Sequence, residues 1–426
     1  LWISDCGLNS SNSQSEIRIP QFRHMLTVEQ ALRMVEEHSR PLAPRQVLLA
    51  EAAGLILATD VASDVDSPPH DKTVMDGFAV ASSDRSPVRQ VIEEIAAGDV
   101  PRCHVRPGTA ARIMTGAPLP EGADAVVPIE QTEPLAGGRV RLDRVDPRPG
   151  EHVLARGTSV RAGDVVVRRG AFLRPIEIAI LAEAGSSLVA VYPRPRAAIL
   201  ATGNELVPVE TRPAAGQIRN SNSPLLVTAA NANGAEAIDL AIARDEQEDL
   251  RKRIQQGLAA DLLVLSGGVS AGKFDLVPHV LSELGVQQVF HKVSLRPGRP
   301  IWFGIRNEGQ SRTLVFGLPG NPVSSCVCFE LFVRPAIAAL AGRGFVGAVP
   351  RTARLSRAFP YKGGRESCLP ARLAEPADGH TTPTVEVLPW HGSADLAALA
   401  QANALVRLGA EAAQLDVGAT VEVICL

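Results

Sequence analysis

Three carboxylates, Glu205, Asp245 and Asp275, stand just beyond segments that read as β-strands. In an open α/β sheet ligands bind beyond the carboxyl ends of the strands, so loops distant in sequence converge on one rim. Three acids brought together there repel one another unless a cation or a proton intervenes. Mg²⁺ suits such a cluster, because it takes oxygen ligands and bridges to substrate phosphate. The competing reading is three separate surface acids, with Asp245 capping a helix that begins at Glu246.

Two further segments carry anion chemistry. Ser266-Gly267-Gly268-Val269-Ser270-Ala271-Gly272 follows a buried apolar run. Glycines let a backbone approach a phosphate closely and turn its N–H groups inward. No Gly-Lys-Ser/Thr follows, so this is not a P-loop, and a plain turn explains it equally well. Arg296 and Arg299 set two cations around Pro297-Gly298, either for an anion or as a solvated loop. Pro319 and Pro322 stiffen Gly320-Asn321, with Asn321 placed to cap the next helix. The nine histidines are scattered, with no His-x-x-x-His pair and no readable Ser-His-Asp pattern. They give no footing for zinc or triad chemistry. Six cysteines in this length make no disulfide scaffold and read as reduced core residues.

Periodicity supplies the elements that must position these residues. Strands at 197–201, 237–243, 262–265 and 314–316 alternate with helices at 224–232, 246–256, 276–284 and 323–340. The first strand ends in Thr202-Gly203-Asn204-Glu205. Strands at 289–293 and 301–305 flank the arginine loop. Asn222 or Ser223 caps the 224–232 helix. This β-α-β-α rhythm predicts a doubly wound parallel sheet. Upstream, Thr27 with Gln30 forms a capping box for a helix over 27–38. A charged loop at 66–80 contains the turn Asp76-Gly77, and short apolar runs broken by Pro and Gly over 88–170 predict a β-rich domain. A helix at 175–185 returns the chain. Residues 342–350 form a linker, and strand signals resume from 351.

The chain's 426 residues suggest about three domains at roughly 150 residues each. Hydrophobic residues at 45% and charged residues at 21% exclude wholesale disorder. With 43 basic against 46 acidic residues there is no excess for a general grip on nucleic acid. No apolar run approaches the roughly 20 residues that span a bilayer, and the Ser/Asn-rich start reads as a loose tail, so the expected setting is cytoplasmic, away from membranes.

In this order the motifs resemble the MoeA family, the molybdopterin molybdenumtransferases. They are Met75-Asp76-Gly77-Phe78-Ala79-Val80; Ile113-Met114-Thr115-Gly116-Ala117-Pro118 with Glu121-Gly122-Ala123-Asp124; Thr202-Gly203-Asn204-Glu205-Leu206; the Ser266 turn with Asp275; Pro297-Gly298-Arg299-Pro300; and Gly317-Leu318-Pro319-Gly320-Asn321-Pro322-Val323-Ser324. The resemblance implies a multidomain α/β plus β chain. After a tail at 1–24 come a discontinuous mixed linking domain (25–61 and 158–192), an inserted β-rich domain (62–157), a doubly wound MogA-like α/β domain (193–344) and a C-terminal β-barrel (345–426). It implies a Mg²⁺-dependent transferase that inserts molybdate into adenylated molybdopterin and releases AMP.

By motif position, Asp76, Thr115, Glu205, Asp245, Asp275, Pro319 and Pro322 look like the catalytic set, with Glu205, Asp245 and Asp275 on the metal. Thr202, Gly203, Asn204, Ser266, Gly267, Gly268, Ser270, Gly272, Lys292, Arg296, Arg299, Arg365 and Ser393 look like the binding set. The implied partners are a second copy of the chain, with the site between subunits, and transient contacts with the adenylyltransferase or apo-molybdoenzymes. Two other readings stay open: a molybdopterin adenylyltransferase, and a non-catalytic binding or scaffold relative.

Overall fold

The computed structural model describes residues 25–269, 276–309, 311–376, 382–411 and 414–426. Ser270, Gly272 and Asp275 therefore lie outside the described residues. The chain folds as two units, 43–193 and a second made from the stretch ending at Leu42 together with 194–426.

In the 43–193 unit, the strand Arg45–Leu48 pairs antiparallel with Leu188–Tyr192, and Ile56–Leu57 pairs with the latter's other edge. The helix Pro175–Glu183 buries Leu181 with Leu57, Leu173 and Val189. A six-stranded sheet fills the middle of the unit, and in it Gly77–Val80 lies between Ala125–Pro128 and Thr109–Ile113. Period-two alternation puts Phe78 and Val80 in one core and Ala79 in another, with Ile113 and Val126. Gly77 is required there, since a Cβ would stand 2.1 Å from the Val127 carbonyl oxygen. Arg89, wholly buried, pairs with Asp84 at 2.7 Å and donates to the Ser86 and Asp84 carbonyls.

The other unit begins with α1 (Val28–His38), whose capping box between Thr27 and Gln30 is formed. Val28, Ala31 and Val35 share a core with Phe303, Phe332 and Ile337 of the α/β region. That region runs β1 (Arg196–Thr202), α2 (Asn222–Ala232), β2 (Glu236–Ala243), α3 (Gln247–Gly257), β3 (Leu262–Ser266), α4 (Val277–Glu283), β4 (Gln287–His291), β5 (Trp302–Glu308) and β6 (Ser311–Leu318). The strand order is β2-β1-β3-β6-β5-β4. The first four are parallel, and β3 is buried along its whole length, as expected of a strand covered on both faces.

The expectation of an all-parallel sheet fails at one edge: β5 is antiparallel to both β6 and β4. Only two residues join β5 to β6, too few for the crossover that parallel pairing needs. The helix expected at 323–340 is α5 (Pro322–Cys328), a π-helical turn (Phe329–Val333) and α6 (Arg334–Leu340). Pro335 has no N–H to donate and its ring crowds the preceding turn, which accounts for the irregularity. This 19-residue stretch is long and apolar enough to cross a membrane, contrary to the sequence reading. Because 78% of its most apolar window is buried inside the protein, it reads as a core helix.

Arg351–Leu355, Glu366–Ala374, Thr384–Val387, Ala404–Leu408 and Thr420–Cys425 close into a barrel around Leu355, Leu369, Val385, Val406 and Val423. Leu295–Arg296 pairs with Glu366 and Ser367, which ties the arginine loop to the barrel.

Candidate functional site

The carboxyl ends of β2, β1, β3 and β6 lie side by side, so the loops that follow them form one rim in the order Asp245, Glu205, Gly267, Pro319. The order of strands reverses at β1, with β2 added on one side of it and β3 on the other, which makes that rim the topological switch point. There Gly267, at φ +95°, lies so close to Thr202 that a Cβ would stand 2.5 Å from its carbonyl oxygen. The Gly267 amide donates to the Leu318 carbonyl at 3.1 Å.

Asn204 and Asp245 clasp each other: the Asp245 amide donates to Asn204 Oδ1 at 3.1 Å, and the Asn204 amide to Asp245 Oδ2 at 3.3 Å. Asp245 is thus committed to the β1 loop and does not cap α3, whose N-cap Glu246 makes no side-chain cap bond. The Glu205 carboxylate folds over Gly203, within 2.6 Å of where a Cβ would stand. Both acids are exposed. The oxygen-only donors suit Mg²⁺ in kind. Among the described residues, no three His, Cys, Asp or Glu side chains are grouped to share an ion.

Asn222, expected as a cap, lies inside α2, whose N-cap is Ser221. Its buried amide nitrogen donates at 2.7 Å to both Ser266 Oγ and the Gly320 carbonyl, joining the loops after β3 and β6. Asn222 Oδ1 and Thr202 Oγ1 are buried with no protein partner. Sequence reasoning passed over Asn222 because a polar residue before a helix reads first as a cap.

Arg296, Arg299 and Arg365 line a cavity of about 590 Å³, together with Pro319, Asn321, Ser324, His391 and Ser393. None of the three guanidinium groups has an acidic partner among the described residues. Asn321 makes no side-chain cap bond. Its amide reaches Ser393 Oγ at 2.7 Å, and the Val323 amide donates to the Ser393 carbonyl at 3.1 Å. Pro322 opens α5 and holds that loop in place. Lys292 follows β4 at the same edge of the sheet with φ +73°, but it does not line this cavity. A second cavity, of about 850 Å³, lies beside Gly203, Asn204 and Arg244, with walls from Val207, Pro208, Pro224 and Ile242.

In the 43–193 unit, Thr115 follows the strand that pairs with Gly77–Val80, and its amide and hydroxyl both donate to Asp76 Oδ1 at 2.6 Å. Elsewhere, burial pushes the thiols of Cys326 and Cys368 up to about 12, and that of Cys328 higher still. They are packing residues and not nucleophiles.

A doubly wound α/β sheet with glycine turns and polar loops at its switch point, joined to a closed barrel that shares an arginine-lined cavity with it, is the architecture of a multidomain α/β and β protein with a small-molecule-sized cleft at the sheet's rim. Residues 26–185 match the MoeA N-terminal region (domains I and II), 198–339 a probable molybdopterin-binding domain, and 352–426 the MoeA C-terminal region (domain IV). The chain belongs to the MoeA family of molybdopterin molybdenumtransferases.

It is 40% identical over 310 residues to the molybdopterin molybdenumtransferase of Nostoc, covering 68% of each chain. It is 34% identical over 423 residues to molybdopterin molybdenumtransferase 2 of Mycobacterium tuberculosis, covering 94% of this chain and 99% of that one. Among solved structures, the molybdopterin biosynthesis MoeA protein of Pyrococcus horikoshii matches with a TM-score of 0.80 at 30% identity, over 94% of this chain and 99% of that one.

Proposed function

We propose that this chain inserts molybdate into adenylated molybdopterin and releases AMP, as a step of molybdenum cofactor biosynthesis. The observation that carries the reading is the unpaired arginine trio in one cavity at the rim of the sheet. Three cations without acidic partners among the described residues, with hydroxyl and amide donors from Ser393 and Asn321, make a seat for a tetrahedral oxyanion. The Gly267-Gly268 turn, with Thr202 and Asn222 beneath it, cradles the pterin end of the substrate. The larger cavity, beside Asn204 and Arg244, takes the adenylate half.

Glu205, Asp245 and Asp275 are the residues that would hold Mg²⁺, and the ion would supply charge neutralisation at the phosphoanhydride. The dithiolene chemistry belongs to the substrate, and the protein's part is alignment and exclusion of competing poses. We further propose, on family membership, that the chain works in the cytoplasm as a homodimer, with Asp76 and Thr115 completing a site between subunits. The four-domain division given above, and transient contacts with the adenylyltransferase or apo-molybdoenzymes, belong to the same proposal.

The test is to incubate purified protein with adenylated molybdopterin, Mg²⁺ and molybdate, following AMP and active cofactor. Release of AMP together with cofactor supports the reading. Formation of adenylated molybdopterin from ATP assigns the chain to adenylyl transfer instead, and tight binding without turnover assigns it to a non-catalytic role.

A further inference from the structure

We propose that Arg253, together with Asp249, is a positioning clamp: it holds a bulge in β2 that sets Arg244 and Asp245 in register at the rim, so that adenylate binding in the larger cavity depends on it. This rests on the reading that the larger cavity takes the adenylate half of the substrate.

β1 and β2 pair in parallel, and their register slips once. Ile199 lies opposite Asp239 and Ala201 opposite Ile242, so Leu240 and Ala241 together face Leu200. Such a bulge is rare between parallel strands, and it bends the strand that carries it and re-aims its side chains. Ala241 stands at φ +61°, a left-handed backbone that alanine adopts only at a cost, so its surroundings must hold it there. Asp239 Oδ1 accepts the Ala241 N–H at 2.8 Å. From α3, Arg253 Nη1 donates to the Leu240 carbonyl at 2.7 Å, and its Nε donates to Asp249 Oδ1 at 3.1 Å. The other Asp249 oxygen, Oδ2, accepts the Arg244 N–H at 2.9 Å. One ion pair thus holds both the bulge and the loop beyond it. The Arg244 N–H first, and then Arg253, keep the Asp249 carboxyl below the usual carboxylate range, against the burial that raises it. The Leu240 side chain packs against the core that holds Leu250 and Ile254, whereas Ala241 lines the cavity with Arg244 and Arg253.

The extra residue decides which side chain meets Asn204. With the bulge in place, Ala243 lies opposite Thr202, its carbonyl accepts the Gly203 N–H at 3.2 Å, and Asp245 clasps Asn204. An unbulged ladder running on from Asp239 sets Ile242 opposite Thr202 instead, and brings Arg244 to the place of Asp245. A guanidinium has no acceptor, so the Asn204 N–H then loses its partner. The wall that Asn204 and Arg244 give the cavity is remade.

Calorimetric titration of the full chain with AMP, together with hydrogen exchange over residues 240–246, tests this. Arg253→Met and Asp249→Ala are each expected to bind AMP about tenfold more weakly than wild type and to exchange faster over that segment. The double variant is expected to lose no more than either single one, because the two residues act as a unit. Arg251→Met, which breaks the pair between α3 and Glu283, is the control: it weakens the helix and keeps the wild-type affinity for AMP. Thermal melts confirm that each variant is folded. Asp249 does not line the cavity. An Asp249→Ala protein that binds AMP as wild type does, beside a weakened Arg253→Met, therefore makes Arg253 a direct ligand contact and overturns the clamp. Wild-type affinity in Arg253→Met, or an equal loss in Arg251→Met, overturns it as well. In these cases wild type binds AMP and the cavity reading stands. If wild type itself does not bind AMP, that reading falls, and the role of Arg253 with it.

Discussion

The Asp76 carboxylate accepts both the hydroxyl and the amide N–H of Thr115 through a single oxygen, although the two residues are 39 positions apart. Pairing of Gly77 with Ile113 sets the two strand ends side by side. The Thr115 hydroxyl first, and then its amide, hold the Asp76 carboxyl below the usual carboxylate range. A lowered carboxyl pKa means that the clasp is intact above the ordinary carboxylate range and lost as pH falls through the lowered value. Thr115→Val removes the hydroxyl and keeps the amide. Its turnover is expected to fall about tenfold with the melting temperature unchanged, and the acid limb of its pH–rate profile to move upward. A profile that coincides with wild type would show that the clasp does not act in the reaction.

Glu205→Gln and Asp275→Asn are each expected to abolish AMP release, by about a hundredfold or more, while circular dichroism shows a native fold. Glu205 is exposed, so its replacement carries no packing cost. Full activity in both variants would refute the assignment of these acids to the metal.

Asn222→Ala removes a side chain that joins the loops after β3 and β6. Ser266 Oγ and the Gly320 carbonyl then lose their donor. The expected cost is about 1–3 kcal/mol of stability, read by urea denaturation, with a rise in KM for adenylated molybdopterin larger than the fall in kcat. Asn222→Asp loses the same donor and adds a charge facing a carbonyl, so it should be worse than alanine. A milder effect for Asp would contradict this geometry.

In the 43–193 unit, Arg89→Met leaves Asp84 buried without its counter-charge. Burial alone pushes the Asp84 carboxyl up; the N–H groups of Gly108 and Ser86, with Arg89, outweigh it and leave the group below the usual range. Breaking such a pair from one side costs about 3–5 kcal/mol. The variant is expected to show an earlier unfolding transition at neutral pH. Because the lowered carboxyl contributes stability that is lost as pH falls through its folded value, the gap to wild type should narrow in acid. A constant gap from pH 7 to pH 3 would exclude the ionic account.

Much of the sheet was legible because parallel strands, covered on both faces, read as unbroken apolar runs, as at Leu262–Ser266. The antiparallel edge was not, since the register of Trp302–Glu308 is decided by a two-residue connection and not by its apolar content. The rim was readable from its polar loops, but the partners within it were not. Asn222, Asn321 and Asp245 each carry a side chain that suits a cap, and only tertiary contact shows that each reaches a neighbouring loop instead.

The strands Arg45–Leu48 and Leu188–Tyr192 open and close the 43–193 unit and are zipped to each other. A nascent chain can therefore complete that unit as a sealed module while the remainder is still being made. Helix Val28–His38, synthesised earlier, must keep its apolar stripe unsatisfied until Phe303 and Phe332 emerge. This helix, translated before the module, is thus among the last to find its place, and a ribosome paused between 193 and 303 would hold a finished module beside an exposed hydrophobic arm.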